Sequence, residues 1–239
     1  MCGRYTSTST SDQVAAFFAA EEVKTEELPL RYNVAPSQQV YAIAERRPRD
    51  GADQAQRQLG SFRWGLVPSW AKDPSIGNRM INARAETLSS RNAYKRALVR
   101  HRCIIPADAF YEWQIRELEG KRQKAPYVIR HRDGSPLAFA GLWEVWHDAE
   151  DQPLRTCVII TIEANRLLAP IHDRMPVVLP PDAWDEWLDP ENQDVSRLQK
   201  LLVPAPAKEF EAYEISTLVN NVRHEGPDLI EPIEQGRRH

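Results

Sequence analysis

Residues 102–146 read RCIIPADAFYEWQIRELEGKRQKAPYVIRHRDGSPLAFAGLWEVW, and they decide the fold. Four apolar or alternating runs, at 102–105, 110–115, 127–131 and 137–146, are rich in β-branched and aromatic residues and are divided by Pro, Gly, Asp and charged residues. This is the pattern of successive strands and turns. No apolar pattern of helical period lies between them, so there is no alternation of strand and helix.

Working outward, further strands are predicted at 40–44, 57–66, 156–163 and 177–179. The first two bracket the polar stretch ERRPRDGADQAQ, read as an exposed loop within 45–58. A helix is predicted over 12–20, where Val14, Phe17 and Phe18 recur at i, i+3 and i+4 and Ser11 or Asp12 would cap it. Two late helices, 182–188 and 195–202, carry Trp184, Trp187, Leu188 and then Leu198, Leu201, Leu202 at helical spacing. Many strands with few helices predict an α+β fold: one domain, residues 2–233, around a largely antiparallel, curved or barrel-like sheet with flanking helices. A short basic tail within 234–239 is expected to be disordered.

At 239 residues and 42% hydrophobic content the chain can bury a substantial core. It has no run of eighteen apolar residues and no secretory signal, so a soluble, cytoplasmic protein is expected. Cys2, Cys103 and Cys157 are odd in number, far apart and not spaced as CxxC, against a disulfide framework or a zinc site. The net charge of −3 does not by itself indicate nucleic acid, but 24 of the 31 basic residues are arginine. Guanidinium suits bidentate phosphate contacts, and codon bias would give the same count.

The polar residues within apolar stretches carry the chemistry. Cys2 follows Met1 directly, and removal of Met1 would leave an α-amine of pKa about 7.7 to 8.0 beside a thiol of pKa about 8.5. In MINARAE, an extended segment would point Asn82 and Arg84 to one side. In AFYEWQ, Glu112 sits among Phe110, Tyr111 and Trp113; an apolar surround would raise its pKa into the range of general acid and base work, whereas a salt-bridged carboxylate on a solvated face would do nothing. His172, Asp173 and Arg174 form a polar group between two apolar segments, and Asn33 reads as a turn or backbone-bonding residue before Pro36 and Ser37.

MCGRY, RYNVAPSQ, WGLVPSW, INARAET, FYEW, AGLWE and IHDRMPVVL, in this order and spacing, resemble the SRAP (SOS response associated peptidase) family from Cys2 to about Ile233. Its members shield abasic sites in single-stranded DNA. The resemblance implies that Cys2 closes a thiazolidine on the ring-opened abasic sugar. It further implies that Glu112 acts as general acid and base, that His172 is a second proton-transfer group, and that Asn82 positions Cys2 and the sugar. It gives Arg4, Arg84 and Arg174 to phosphates, Trp70 and Trp113 to bases, and Thr161 to the lining of the site. No cofactor or metal is implied. The expected partner is abasic single-stranded DNA, met by a monomer at the nucleoid. The peptidase of the family name implies self-processing that exposes Cys2, though an aminopeptidase would also remove Met1, and the weight of strand cleavage at the lesion stays open. Two rivals are an N-terminal nucleophile amidohydrolase of the glutamine amidotransferase type, which also begins Met-Cys-Gly, and a non-enzymatic single-strand binder.

Overall fold

The run QVYAIA shows how the layers form. In β4 (Gln39–Arg46), Val40, Ala42 and Ala44 share one cluster with Tyr5, Phe110, Ile129 and Phe210. Tyr41 and Ile43 share the other with Val14, Phe18, Trp187 and Leu198. A strand buried on both faces needs apolar residues at every position, so it reads as a continuous run and not as an alternation.

The computed structural model describes residues 2–46, 55–118 and 120–233. The strands are β1 (Tyr5–Ser7), β2 (Glu22–Val23), β3 (Arg31–Val34), β4, β5 (Gln56–Trp64), β6 (Asn82–Arg84), β7 (Arg102–Ala107), β8 (Ala109–Leu118), β9 (Lys121–His131), β10 (Leu137–His147), β11 (Pro153–Glu163), β12 (Arg174–Pro176) and β13 (Phe210–Glu214). The helices are α1 (Ser11–Phe17), α2 (Lys95–Arg100), α3 (Trp184–Leu188) and α4 (Val195–Lys200). Residues 47–54 of the expected loop, the tail 234–239 and Met1 lie outside the described residues.

One sheet has the order β13-β9-β8-β1-β3 and the other β12-β11-β10-β7-β4-β5-β2. Parallel pairing of β11 with β5, Thr156 opposite Arg63 and Cys157 opposite Trp64, closes β4, β5, β7, β10 and β11 into a five-stranded ring. The hairpins β8–β9 and β10–β11, and the pair β7–β10, are antiparallel, in line with the largely antiparallel sheet predicted from the sequence. The α+β class with a barrel-like sheet is thus the observed one. No helix among the described residues is long and apolar enough to cross a membrane.

Three predicted elements differ, the strand predicted at 127–131 beginning six residues earlier, at Lys121, as β9. The first helix is capped by Thr10, not by Ser11 or Asp12: the Thr10 side chain accepts from the Gln13 backbone while the Gln13 side chain accepts from the Thr10 backbone. Ser11 is occupied with Glu27, and the helix ends at Phe17. The predicted strand 177–179 contributes one bridge, Val178 to Phe139, and the paired residues are Arg174, Met175 and Pro176. Pro176 and Pro180 lack the N–H a continuous ladder would need.

One close approach sets up the site. Gly65, at φ 127°, lies so near Gly77 that a Cβ there would come within 2.5 Å of the Gly77 carbonyl oxygen. Only glycine fits this contact without strain. It lets the 3-10 turn Pro74–Arg79 fold back so that Leu66 N–H donates to Met80 O at 3.0 Å and Trp64 Nε1–H to Ile81 O at 2.9 Å. β6 is thereby laid parallel along β11, Asn82 beside Ile159 and Arg84 beside Thr161.

Candidate active site

Cys2 is fully buried, and its Sγ lies 3.8 Å from the Arg4 carbonyl oxygen, which also accepts the Tyr111 N–H at 3.0 Å. β1 pairs with β8 in the register Tyr5 to Phe110. Continuing that register toward the N-terminus brings the chain at Cys2 and Gly3 alongside Glu112 and Trp113.

Glu112 is only 2% exposed, so it is not a carboxylate on a solvated face. Burial holds its pKa above the ordinary 4.5, against the opposing pull of the amino terminus, of His172 and of the Trp113 backbone N–H. Burial likewise pushes the Cys2 thiol up, and the Glu112 carboxylate adds to that. The thiol and the carboxyl are therefore within each other's field, and both favour the protonated form.

β6 supplies the third group. Asn82 Nδ2 donates to the Cys2 carbonyl oxygen at 2.8 Å, and its buried Oδ1 has no hydrogen-bond partner among the described residues. His172, just before β12, has Nδ1 3.0 Å from the Arg174 backbone N–H and 2.9 Å from Asp173 Oδ1. Cys2, Asn82, Glu112 and His172 thus come together from four separate segments.

The residues expected to hold DNA are more varied in their surroundings. The Arg84 side chain is exposed. Arg4 is half-buried, its Nη1 donating to Asn33 Oδ1 at 2.7 Å and Val219 O at 3.0 Å. Arg174 is engaged end-on by Glu86, Nη1 to Oε1 at 2.6 Å and Nη2 to Oε2 at 3.0 Å, and Nη2 also donates to Thr161 O at 2.6 Å. The Thr161 hydroxyl is fully buried and points to Ala83 O at 3.5 Å. Trp70 is 63% exposed, whereas Trp113 is partly buried with its Nε1–H donated to Asn220 Oδ1 at 2.7 Å.

Asn33 is backbone-bonding, as expected, but sits in β3 and not in a turn. Its Nδ2 donates to the carbonyls of Val219, Asn221 and His224 and so pins the segment carrying Asn220 under Trp113. Glu86 and Asn220 are not among the site residues expected from the sequence. Glu86 stands inside INARAET, two residues from Arg84, and that was its only signal.

A family model described as SOS response associated peptidase (SRAP) matches residues 1–222. The chain belongs to the SRAP family. It is 47% identical over 232 residues to abasic site processing protein YoqW of Bacillus subtilis (strain 168), covering 97% of this chain and 99% of that one. To abasic site processing protein HMCES of Gallus gallus it is 36% identical over 230 residues, 86% of this chain and 67% of that one. The crystal structure of a protein from Bacteroides thetaiotaomicron superposes with a TM-score of 0.81 at 24% identity, over 98% of this chain and all of that one, which shares the SRAP fold.

Proposed function

We propose that this SRAP chain is an abasic site processing protein that captures the ring-opened deoxyribose covalently at Cys2. Removal of Met1 frees the α-amine. The amine nitrogen adds to the sugar aldehyde, the carbinolamine loses water, and the thiol sulfur adds to the resulting imine carbon, closing a five-membered thiazolidine. The thiol proton passes to the ring nitrogen by way of Glu112. Aldehyde and aminothiol thus give thiazolidine and one water, with no oxidant and no metal in the balance.

The observation that carries this reading is the surround of Cys2: its carbonyl is held by Asn82 while its thiol feels a buried carboxyl that also feels His172. A thiol kept protonated until the imine forms is a poor general nucleophile and a good intramolecular trap, because proximity replaces intrinsic reactivity. Glu112 removes the proton as the sulfur adds and returns it when the ring reopens. The strand is single in this reading: Arg84 meets its backbone, and Trp70 and Trp113 occupy the space of a partner strand. The protein acts as a cytoplasmic monomer. Strand scission by β-elimination competes from the same imine, and ring closure suppresses it by consuming the imine.

The test is a denaturing gel after incubation of mature protein with abasic single-stranded DNA. A heat-stable shifted band is expected for the parent and none for Cys2→Ala, which retains an amine and should yield a product only when borohydride reduces the imine. A heat-stable band from Cys2→Ala in the absence of borohydride would overturn the mechanism. A glutamine amidohydrolase would instead release glutamate and leave no band.

A further inference from the structure

Arg174 cannot offer a phosphate its end-on fork as the protein stands. Glu86 fills both prongs in a bidentate pair, the geometry that phosphate also prefers. Thr161 O takes a further N–H, and the Nε is buried with no acceptor among the described residues. The two partners differ in freedom: the Arg174 side chain is 13% exposed and Glu86 49%, so the carboxylate is the one able to swing into solvent. Glu86 also lies in the field of Arg84; its carboxyl is held below the ordinary range first by the Arg174 hydrogen bonds and also by the charges of Arg174 and Arg84. It therefore cancels charge between the two arginines of the site.

We propose, on the reading of this site as the seat of abasic-strand capture, that Glu86 is a built-in phosphate surrogate: it occupies Arg174 until a DNA phosphate displaces it, and so limits reversible binding of undamaged strands. The free energy of phosphate binding at Arg174 is reduced by that of the ion pair broken to admit it. Discrimination for damaged DNA then comes from the negative element as well as from the attractive ones, because a strand without an aldehyde gains nothing covalent to offset the exchange.

The experiment measures reversible binding of an undamaged single-stranded oligonucleotide across a salt series for the parent, Glu86→Gln, Arg174→Gln and the double variant, with Glu86→Ala as a second replacement and a thermal melt of each. A partly exposed pair is worth little, so the expected gain for Glu86→Gln is roughly two- to fivefold in affinity. The plot of log affinity against log salt should steepen by about 0.7, one further phosphate contact on a single strand. Both gains should vanish when Arg174→Gln is added. Equal or weaker binding by the folded Glu86 variants overturns the proposal, and so does a gain that persists without Arg174. Crosslinking to an abasic oligonucleotide is followed in parallel: absence of a covalent product with the parent refutes the capture reading, whereas normal crosslinking with no Glu86 effect on reversible binding refutes the surrogate alone.

Discussion

Replacing Glu112 by glutamine should stabilise the protein at neutral pH while slowing its chemistry. The carboxyl is 2% exposed, and its pKa is raised above 4.5 because burial outweighs the attraction of the amino terminus and His172 and the Trp113 N–H bond. The folded state thus holds this proton more tightly than the unfolded chain does. The stability linked to it is complete below the unfolded value and is lost as pH rises through the folded one, so Glu112 costs folding free energy as the pH is raised from acid toward neutrality. Glutamine has the same shape and no charge to desolvate. An ill-solvated buried polar group costs about 1–3 kcal/mol, and a domain of this size shifts about 2–4 °C in Tm per kcal/mol. Glu112→Gln is therefore expected to raise Tm by roughly 2–12 °C at pH 7, with the difference shrinking toward zero by about pH 4. Melts monitored by circular dichroism at pH 4, 5, 6 and 7 give the comparison. A variant less stable than the parent at pH 7, or a difference independent of pH, would refute the argument from burial.

The same substitution should act in the opposite sense on the reaction. Glutamine can hydrogen-bond but cannot cycle a proton, and a placed proton-transfer group is worth roughly 10² to 10⁴ in rate. Crosslinking should slow, and release from a preformed adduct, chased with excess abasic DNA, should slow by that order. Release as fast as that of the parent would make Glu112 structural and leave His172 to supply the acid. Gained stability with lost turnover is the signature of a group kept for chemistry.

Three further outcomes test the surroundings. Arg84→Ala should flatten the salt dependence of single-strand binding by about 0.7 in slope; a slope equal to the parent's removes Arg84 from the phosphate contacts. Trp70→Ala should leave stability within about 0.5 kcal/mol, since the ring is exposed, yet narrow the preference for single over double strands in competition binding. An unchanged preference assigns Trp70 no place on the DNA path. Asn33→Ala takes one hydrogen bond each from Arg4 and from the carbonyls of Val219, Asn221 and His224, of which Val219 O keeps the Arg4 guanidinium and Asn221 O keeps the His224 N–H, and should cost about 1–3 kcal/mol in denaturant unfolding. A loss under about 0.5 kcal/mol would mean that other contacts hold the 219–224 segment.

What the sequence disclosed follows from the range of the physics. β8, β9 and β10 are ten or eleven residues long, so their apolar parts are read locally, whereas the charged stretches 116–118 and 121–123 of β8 and β9 pair with each other without an apolar pattern to announce them. β1, β3 and β6 have three or four residues, too few to establish a period, and are held by partners far away. Ring closure between β5 and β11 joins Trp64 to Cys157, a pairing no window of sequence contains. The site divides in the same way. Glu112 could be singled out because a carboxylate among Phe110, Tyr111 and Trp113 is a local anomaly, and Cys2 because its chemistry depends only on its neighbour.

The arginines could be counted but not their commitments, because Asn33, Val219 and Glu86 reach Arg4 and Arg174 only through the fold. This changes the electrostatic expectation. Of the three arginines that the resemblance gives to phosphates, Arg174 is neutralised by a carboxylate and Arg4 already donates to two neutral acceptors, which leaves Arg84 as the exposed one. With a net charge of −3 overall, reversible attraction to a polyanion is then weaker than 24 arginines suggest. Under the capture proposed above, a protein so arranged would leave undamaged strands readily and stay where an aldehyde has closed a ring on Cys2, so retention on DNA would be set by the covalent step and its reversal.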